Sequence, residues 1–207
     1  MKSIQIPLAV AIAIAVAVPA GVQAHFKLLE PASWIVESER GDPQKAAPCG
    51  AVPDAKPSEA ITKVTGGSKL HLKVQETIYH PGHYRVALAV NSRGELPTDP
   101  LTVEKMTERG PQSVWAAIQS PPQTPVIADG LFQHYTRPAA AQTFEGDIQL
   151  PNINCPKCTL QVIQFMADHG YNQPGGYSYH HCADLTITAD AAKPLDKGWP
   201  AATGTAN

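Results

Sequence analysis

Residues 177–187, YSYHHCADLTI, lie near the end of the chain and give the clearest sign of its fold. Apolar or aromatic side chains recur at nearly every second position, which is the period of a β-strand with one buried face. The residues on that face are Tyr177, Tyr179, His181, Ala183, Leu185 and Ile187. We therefore predict a strand here that packs against a core.

Further strands are indicated by alternating or continuous apolar segments elsewhere. They are expected at residues 70–74, 84–90, 144–150 and 158–166, the last as a central strand. The 20 Pro and 15 Gly favour short strands and turns over long helices. Short helices are expected at residues 101–108 and 114–118. The fold expected from this pattern is all-β: an antiparallel, immunoglobulin/fibronectin-III-like β-sandwich with long loops and short helices.

The start of the chain has the features of a signal peptide. A positive Met1-Lys2 start precedes an apolar run over residues 4–18, and Ala24 ends a suitable cleavage site. We expect residues 1–24 to be removed and the protein to be secreted or periplasmic. The apolar run is too short for a comfortable membrane span, so no membrane anchor is expected. Residues 25–188 are then one domain, and the small, polar segment 189–207 is a flexible tail.

Charge and cysteine content exclude several classes of function. The formal net charge is −2 with no basic stripe, so no nucleic-acid partner is expected. All four cysteines follow the leader, and in an oxidising compartment they most simply form two disulfides. No nucleophile elbow, catalytic-cysteine pattern or phosphate-binding loop is present in the sequence.

Cleavage after Ala24 would make His25 the first residue of the mature chain. Its α-amino nitrogen and ring Nδ1 can chelate one metal ion, and a second imidazole opposite them gives three nitrogens in a T, which suits tetragonal Cu(II). His80 and His83, in a turn that enters a strand, both qualify as the second imidazole. His180 and His181 point to opposite faces of a regular strand, so only one of them can approach the same metal.

Four segments in order resemble the lytic polysaccharide monooxygenases, notably the bacterial and insect chitin-active kinds. HFKLLEPAS (residues 25–33) is similar to their mature start, and HPGHY (80–84) to the segment with their second copper histidine. CPKCTLQ (155–161) and YHHCADL (179–185) resemble their paired-cysteine segment and their last strand. Phe26 departs from the usual Gly, and Trp34 stands where an Arg is common.

The resemblance implies a site and an activity. One copper ion would be held by His25 and His80, with Tyr179 in the axial position and His83 not a ligand. His181 and Gln161 are expected beside the site. The implied disulfides are Cys49–Cys182 and Cys155–Cys158. The implied function is oxidative cleavage of glycosidic bonds in a polysaccharide, chitin or cellulose among the candidates, by a monomer that receives electrons from a donor.

A second hypothesis is a non-enzymatic protein that binds or delivers copper in the export compartment. The bulk of Phe26 and the additional histidines favour it, and a brace alone does not discriminate between the two. Copper ligands on a flat, open face would favour the enzyme, and recessed ligands would favour the carrier. Aromatic side chains that could contact a polymer are Trp34, Trp115 and Tyr84.

Overall fold

The computed structural model describes residues 25–203, so the expected signal peptide lies outside the described residues. Ten strands and one short 3-10 helix (Arg93–Glu95) make up its regular structure. The strands are β1 (His25–Glu30), β2 (Ile61–Thr65), β3 (Lys69–Ile78), β4 (Gly82–Ala89), β5 (Thr102–Thr107), β6 (Gly110–Ala116), β7 (Val126–His134), β8 (Gln142–Gln149), β9 (Cys155–Met166) and β10 (Ser178–Thr188).

The strands form two facing sheets and a separate hairpin. One sheet has the order β1-β3-β8, the other the order β2-β10-β9-β4-β7, and β5 pairs with β6. All pairs are antiparallel except β2 with β10, which is parallel. The burial of β3 alternates along the strand. Leu70, Leu72 and Val74 point into the core between the sheets, and their neighbours point outward. The predicted all-β antiparallel sandwich is confirmed.

Strand β9 is the central strand that its continuous apolar sequence predicts. Leu160 and Val162 face the core between the sheets, whereas Phe165 packs on the other side against Ala116 and Tyr177. Because both faces are covered, almost every residue of β9 is buried. The strand is therefore a rigid support for residues at its ends.

The expected short helices at residues 101–108 and 114–118 are wrong. These segments form the hairpin β5–β6, with Val103 opposite Trp115. The hairpin lies against the 166–170 turn: Ser113 exchanges backbone hydrogen bonds with Asp168 (3.0 Å) and His169 (2.9 Å). Partners distant in sequence thus decide the conformation of a segment whose own pattern is ambiguous.

Both expected disulfides, Cys49–Cys182 and Cys155–Cys158, are present. The segment expected to be a flexible tail has no regular structure over residues 189–203, yet it is attached to the sandwich. The Asn152 side chain donates hydrogen bonds to three of its carbonyl oxygens, and Trp199 packs against the core.

Candidate metal site

The pairing of β1 with β3 brings the two expected copper ligands to one end of the sandwich. His25 lies opposite Ile78, the last residue of β3, and His80 follows two positions later. The chain then turns into β4 at Gly82, where a Cβ would lie 1.9 Å from the Phe165 carbonyl oxygen. Glycine at this position allows β4 to approach β9 and fixes the turn that carries His80.

Four aromatic rings meet at this end of the sandwich. The ring centroids of His25 and Tyr179 are 5.5 Å apart, those of Tyr179 and His169 are 6.5 Å apart, and those of His169 and His80 are 4.6 Å apart. We refer to His25, Tyr179, His169 and His80 as the four-ring cluster. All four residues are buried, with exposed fractions of 4% or less. The structure therefore groups the three residues that the sequence assigned to the site.

The ring nitrogens of His25 have different surroundings. Nε2 lies 3.2 Å from Oδ2 of Asp42. Nδ1 is buried and has no hydrogen-bond partner within residues 25–203. An imidazole whose Nε2–H is donated to a carboxylate keeps its lone pair on Nδ1. Nδ1 is the atom that the expected chelate requires.

The backbone at His80 is held by His134 at the end of β7. Nε2 of His134 lies 2.7 Å from the His80 carbonyl oxygen and 2.8 Å from Oε1 of Glu76, and its Nδ1 lies 2.6 Å from the Phe132 carbonyl oxygen. Burial lowers the pKa of His134, but the hydrogen bonds to Glu76 and the two carbonyls outweigh it and raise the pKa overall. Because both nitrogens face acceptors, His134 is best described as an imidazolium.

Glu76 is the counterion of His134 inside the sandwich. Its Oε1 also accepts hydrogen bonds from the Tyr84 hydroxyl (3.3 Å) and from the Gln164 side-chain amide. Burial next to this carboxylate raises the pKa of Tyr84 well above its usual value. A paired, hydrogen-bonded network such as this one tends to rigidify its surroundings, here the segment that leads to His80.

Tyr179 is a buried phenol that stays protonated. Burial raises its pKa to about 12; the nearby Asn172 side chain opposes this shift and the charge of Asp42 adds to it. Its ring meets the His25 ring edge-on. An un-ionised phenol in this position shields one side of His25 from water.

His181 lies one layer behind the cluster. Its Nε2 donates to the Phe26 carbonyl oxygen (3.0 Å), and its Nδ1 lies 3.1 Å from Oε1 of Glu37. Burial lowers the pKa of His181 to about 4, and burial raises the pKa of Glu37 to about 7. Between about pH 4 and pH 7 the pair is therefore a neutral acid beside a neutral imidazole. Through the Phe26 carbonyl, His181 fixes the residue next to His25.

Three residues that were candidates from the sequence point away from the four-ring cluster: His180, Gln161 and His83. His180 is buried on the other face of β10, with Nε2 2.7 Å from Oδ1 of Asp99. Gln161 pairs with Cys182 on that face and donates a hydrogen bond to the Pro48 carbonyl oxygen (2.9 Å). Gln164, three positions later, pairs with Tyr179 instead.

His83 also lies on that outer face, beside Phe165 at a ring distance of 5.2 Å. Neither of its ring nitrogens has a hydrogen-bond partner in the part of the chain that the structure describes. Burial lowers the pKa of His83. Successive side chains of a strand point to opposite faces of the sheet. Because Tyr84 points into the core, the side chain of His83 points away from it.

His169 is the member of the cluster that the sequence did not reveal. It follows Asp168, a non-glycine residue with a positive φ of 53°. Its backbone N–H donates to Ser113 Oγ (3.1 Å), and its carbonyl accepts from Ser113 N (2.9 Å). No motif marks this loop histidine, because its position depends on a hairpin more than 50 residues away.

Within residues 25–203, no group of three or more His, Cys, Asp or Glu side chains is arranged to hold a metal ion. A histidine brace needs only two such side chains, since its third nitrogen is the chain's own amine. The donor set that fits copper here is therefore His25 Nδ1, the amine of His25 once it is released, and the His80 imidazole.

The aromatic residues expected at a polymer-binding face differ in their exposure to solvent. Tyr84 is in the core, and Trp34 is partly covered by the Arg93 guanidinium, 3.5 Å above its ring. Trp115 is about half exposed on the hairpin. Tyr135 and Tyr171 are also exposed, one residue after His134 and two after His169. Exposed aromatic rings thus flank the segments that support the site.

Comparisons with known proteins give a limited result. No protein-family model matches the chain, and no curated protein matches it. Among solved structures, the chain is similar to lytic polysaccharide monooxygenase AA15 from Thermobia domestica in the Cu(I) state. The identity is 15% and the TM-score 0.48, with 79% of this chain and 99% of that chain covered. Within residues 25–203, no helix is long and apolar enough to cross a membrane.

Proposed function

We propose that the chain is exported, is cleaved after Ala24, and binds one copper ion in a histidine brace formed by His25 and His80. The observation that carries this proposal is the state of the His25 ring. Its Nδ1 is buried without a hydrogen-bond partner in the described residues, whereas its Nε2 contacts a carboxylate. A buried polar atom without a partner is costly unless a ligand satisfies it.

The activity that we infer is oxidative cleavage of polysaccharides. Copper, when bound, would supply one-electron redox chemistry with oxygen or peroxide, using electrons from an external donor. Tyr179 excludes water from one side of His25, and the Glu76–His134 network holds the backbone of His80. Support for a polymeric substrate comes from the four ordered sequence motifs and from the exposed rings of Trp115, Tyr135 and Tyr171.

The test uses the exported protein with its first residue confirmed by mass spectrometry and one copper confirmed by electron paramagnetic resonance (EPR). It is incubated with ascorbate and peroxide over chitin, cellulose and hemicelluloses, and the soluble products are analysed by mass spectrometry. We expect oxidised oligosaccharides from the unmodified protein and from the control variant His83→Ala, and none from His80→Ala. Equal products from His80→Ala would contradict the assigned site.

A second function, copper binding or delivery without catalysis, is favoured by the burial of the cluster. His25 and His80 are 2% and 3% exposed, so the ligands are recessed. If the verified copper-loaded protein releases no oxidised products from any of the polymers, copper binding or delivery replaces polysaccharide cleavage as the proposed function. It would then be tested directly by mixing the loaded protein with a copper-free chelator of known affinity and measuring the transfer rate.

A further inference from the structure

The loop that follows β1 carries an acidic residue onto the site in a defined way. Ser38 N–H donates to the Asp42 carbonyl oxygen (2.9 Å), and the Asp42 N–H donates to Ser38 Oγ (3.0 Å). Gly41 N–H donates to the Ser38 carbonyl oxygen (3.0 Å). These bonds close a tight loop over residues 38–42, which fixes the backbone from which the Asp42 side chain extends.

This loop is attached to β1 itself. Gly41 has a φ of +98°, and a Cβ there would lie 1.9 Å from the Phe26 carbonyl oxygen, so only glycine allows the contact. The Thr77 hydroxyl lies within hydrogen-bond distance of the carbonyl oxygens of both Arg40 (2.8 Å) and His25 (3.2 Å). The loop, β1 and the end of β3 are therefore one unit.

Asp42 completes that unit at the imidazole. Its Oδ2 lies 3.2 Å from Nε2 of His25; the Asp42 side chain is 45% exposed, and the His25 side chain only 2%. The carboxylate therefore sits at the rim, between solvent and a buried ring. A carboxylate at the remote nitrogen of a metal-binding histidine fixes the tautomer and orientation of the ring and increases its basicity.

We propose that Asp42 is a positioning residue of the copper site, which selects the Nδ1-donor tautomer of His25 and whose negative charge favours Cu(II) over Cu(I). This inference rests on the proposed brace. The two effects are separable. An amide at position 42 still accepts the Nε2–H through its oxygen but lacks the charge. A methyl group has neither the acceptor nor the charge.

The test compares Asp42→Ala and Asp42→Asn with a control, Glu39→Gln, which alters an exposed acid on the same loop. All are made as exported, correctly processed proteins. The first readout needs no copper: long-range proton–nitrogen NMR spectra report which nitrogen of His25 carries the proton. We expect the Nε2–H form in the unmodified protein, in Asp42→Asn and in Glu39→Gln, and a mixture of tautomers in Asp42→Ala.

The second readout is affinity for Cu(II) and for Cu(I), each by competition with a chelator. We expect Asp42→Ala to weaken Cu(II) binding by about 10- to 100-fold. In Asp42→Asn, the preference for Cu(II) over Cu(I) should fall while the tautomer is kept. If the unmodified protein fails to bind Cu(II), the brace itself is wrong. If it binds Cu(II) and both Asp42 variants match it in tautomer and affinity, only the role of Asp42 is wrong.

Discussion

The ring of His80 is met edge-on by the ring of His169, with the ring centroids 4.6 Å apart and an interplanar angle of 74°. His169 is fixed in turn by hydrogen bonds to Ser113 of the β5–β6 hairpin. A hairpin remote in sequence therefore restricts a proposed copper ligand.

Removal of the His169 ring should loosen His80. For His169→Ala we expect Cu(II) affinity to fall by about 10-fold, the lower end of the effects seen when residues that support metal ligands are removed. Competition titration with a chelator measures it. The matched control is His71→Ala, which removes an exposed histidine from β3. Equal affinities for both variants would mean that His169 only fills space.

The two histidines of the turn into β4 should behave differently. We expect His80→Ala to remove tight Cu(II) binding and His83→Ala to leave it intact, because His83 lies against Phe165 on the outer face. His83→Ala should instead lower the free energy of unfolding by about 1–3 kcal/mol, as is typical when a buried side chain is truncated. Titration with Cu(II) and chemical denaturation separate the two effects. Loss of copper binding in His83→Ala alone would reverse the assignment.

The amine of His25 should be as important as its ring. One additional alanine before His25 moves the amine out of chelating distance while leaving every side chain in place. We expect a severe loss of Cu(II) affinity and the disappearance of the three-nitrogen EPR signal. An alanine added after the last residue serves as the control, and unchanged binding in the N-terminally extended protein would rule out a brace.

Tyr179→Phe should retain copper, because the three proposed ligands are nitrogens of His25 and His80 and the phenol oxygen is not among them. Loss of the hydroxyl changes the axial surroundings, so the EPR parameters of bound Cu(II) should shift at unchanged stoichiometry. Tyr177→Phe, immediately before β10 and outside the four-ring cluster, is the matched control. An identical spectrum for Tyr179→Phe would contradict the axial assignment.

The buried Glu37–His181 pair predicts a distinctive pH dependence. The folded pKa of Glu37 is raised to about 7 from 4.5, so its contribution to stability is present below pH 4.5 and is lost as pH rises through 7. His181, lowered to about 4 from 6.5, acts oppositely: its contribution is present above pH 6.5 and is lost as pH falls through 4.

Glu37→Gln removes the first contribution while keeping a hydrogen-bonding side chain. We expect the melting temperature of this variant, relative to the unmodified protein, to increase as pH rises from 4.5 to 7. Thermal unfolding at a series of pH values measures it. Glu39→Gln is the control for removing an exposed acid from the neighbouring loop, and parallel curves for both variants would mean that Glu37 is ionised in the fold.

The sandwich was predictable because its strands carry their own signal. The alternation at Leu70, Leu72 and Val74 and the continuous apolar run of β9 each reflect burial that regular strand geometry imposes. The hairpin β5–β6 has no such signal: Val103 and Met106 are exposed, so its pattern does not separate a buried from an open face. Its conformation comes from its partners in the 166–170 turn.

Residues of the proposed site could be named from the sequence only where they lie in or next to strands. His25 and Tyr179 lie in β1 and β10, and His80 follows β3 directly. His169 and Asp42 lie in irregular segments, and each is placed by hydrogen bonds to another loop or hairpin. Single residues in loops give no periodic pattern, so the supporting half of the site required the structure.

The Cys49–Cys182 disulfide joins the long loop that carries Asp42 to the strand that carries Tyr179, across 133 residues of sequence. A chain with both thiols reduced, as in the cytosol, lacks this tether between the loop of Asp42 and the four-ring cluster. The same export step that would expose the amine of His25 would also allow the tether to form. Metal loading would then be confined to one side of the membrane, and the unfinished precursor would not compete for intracellular copper.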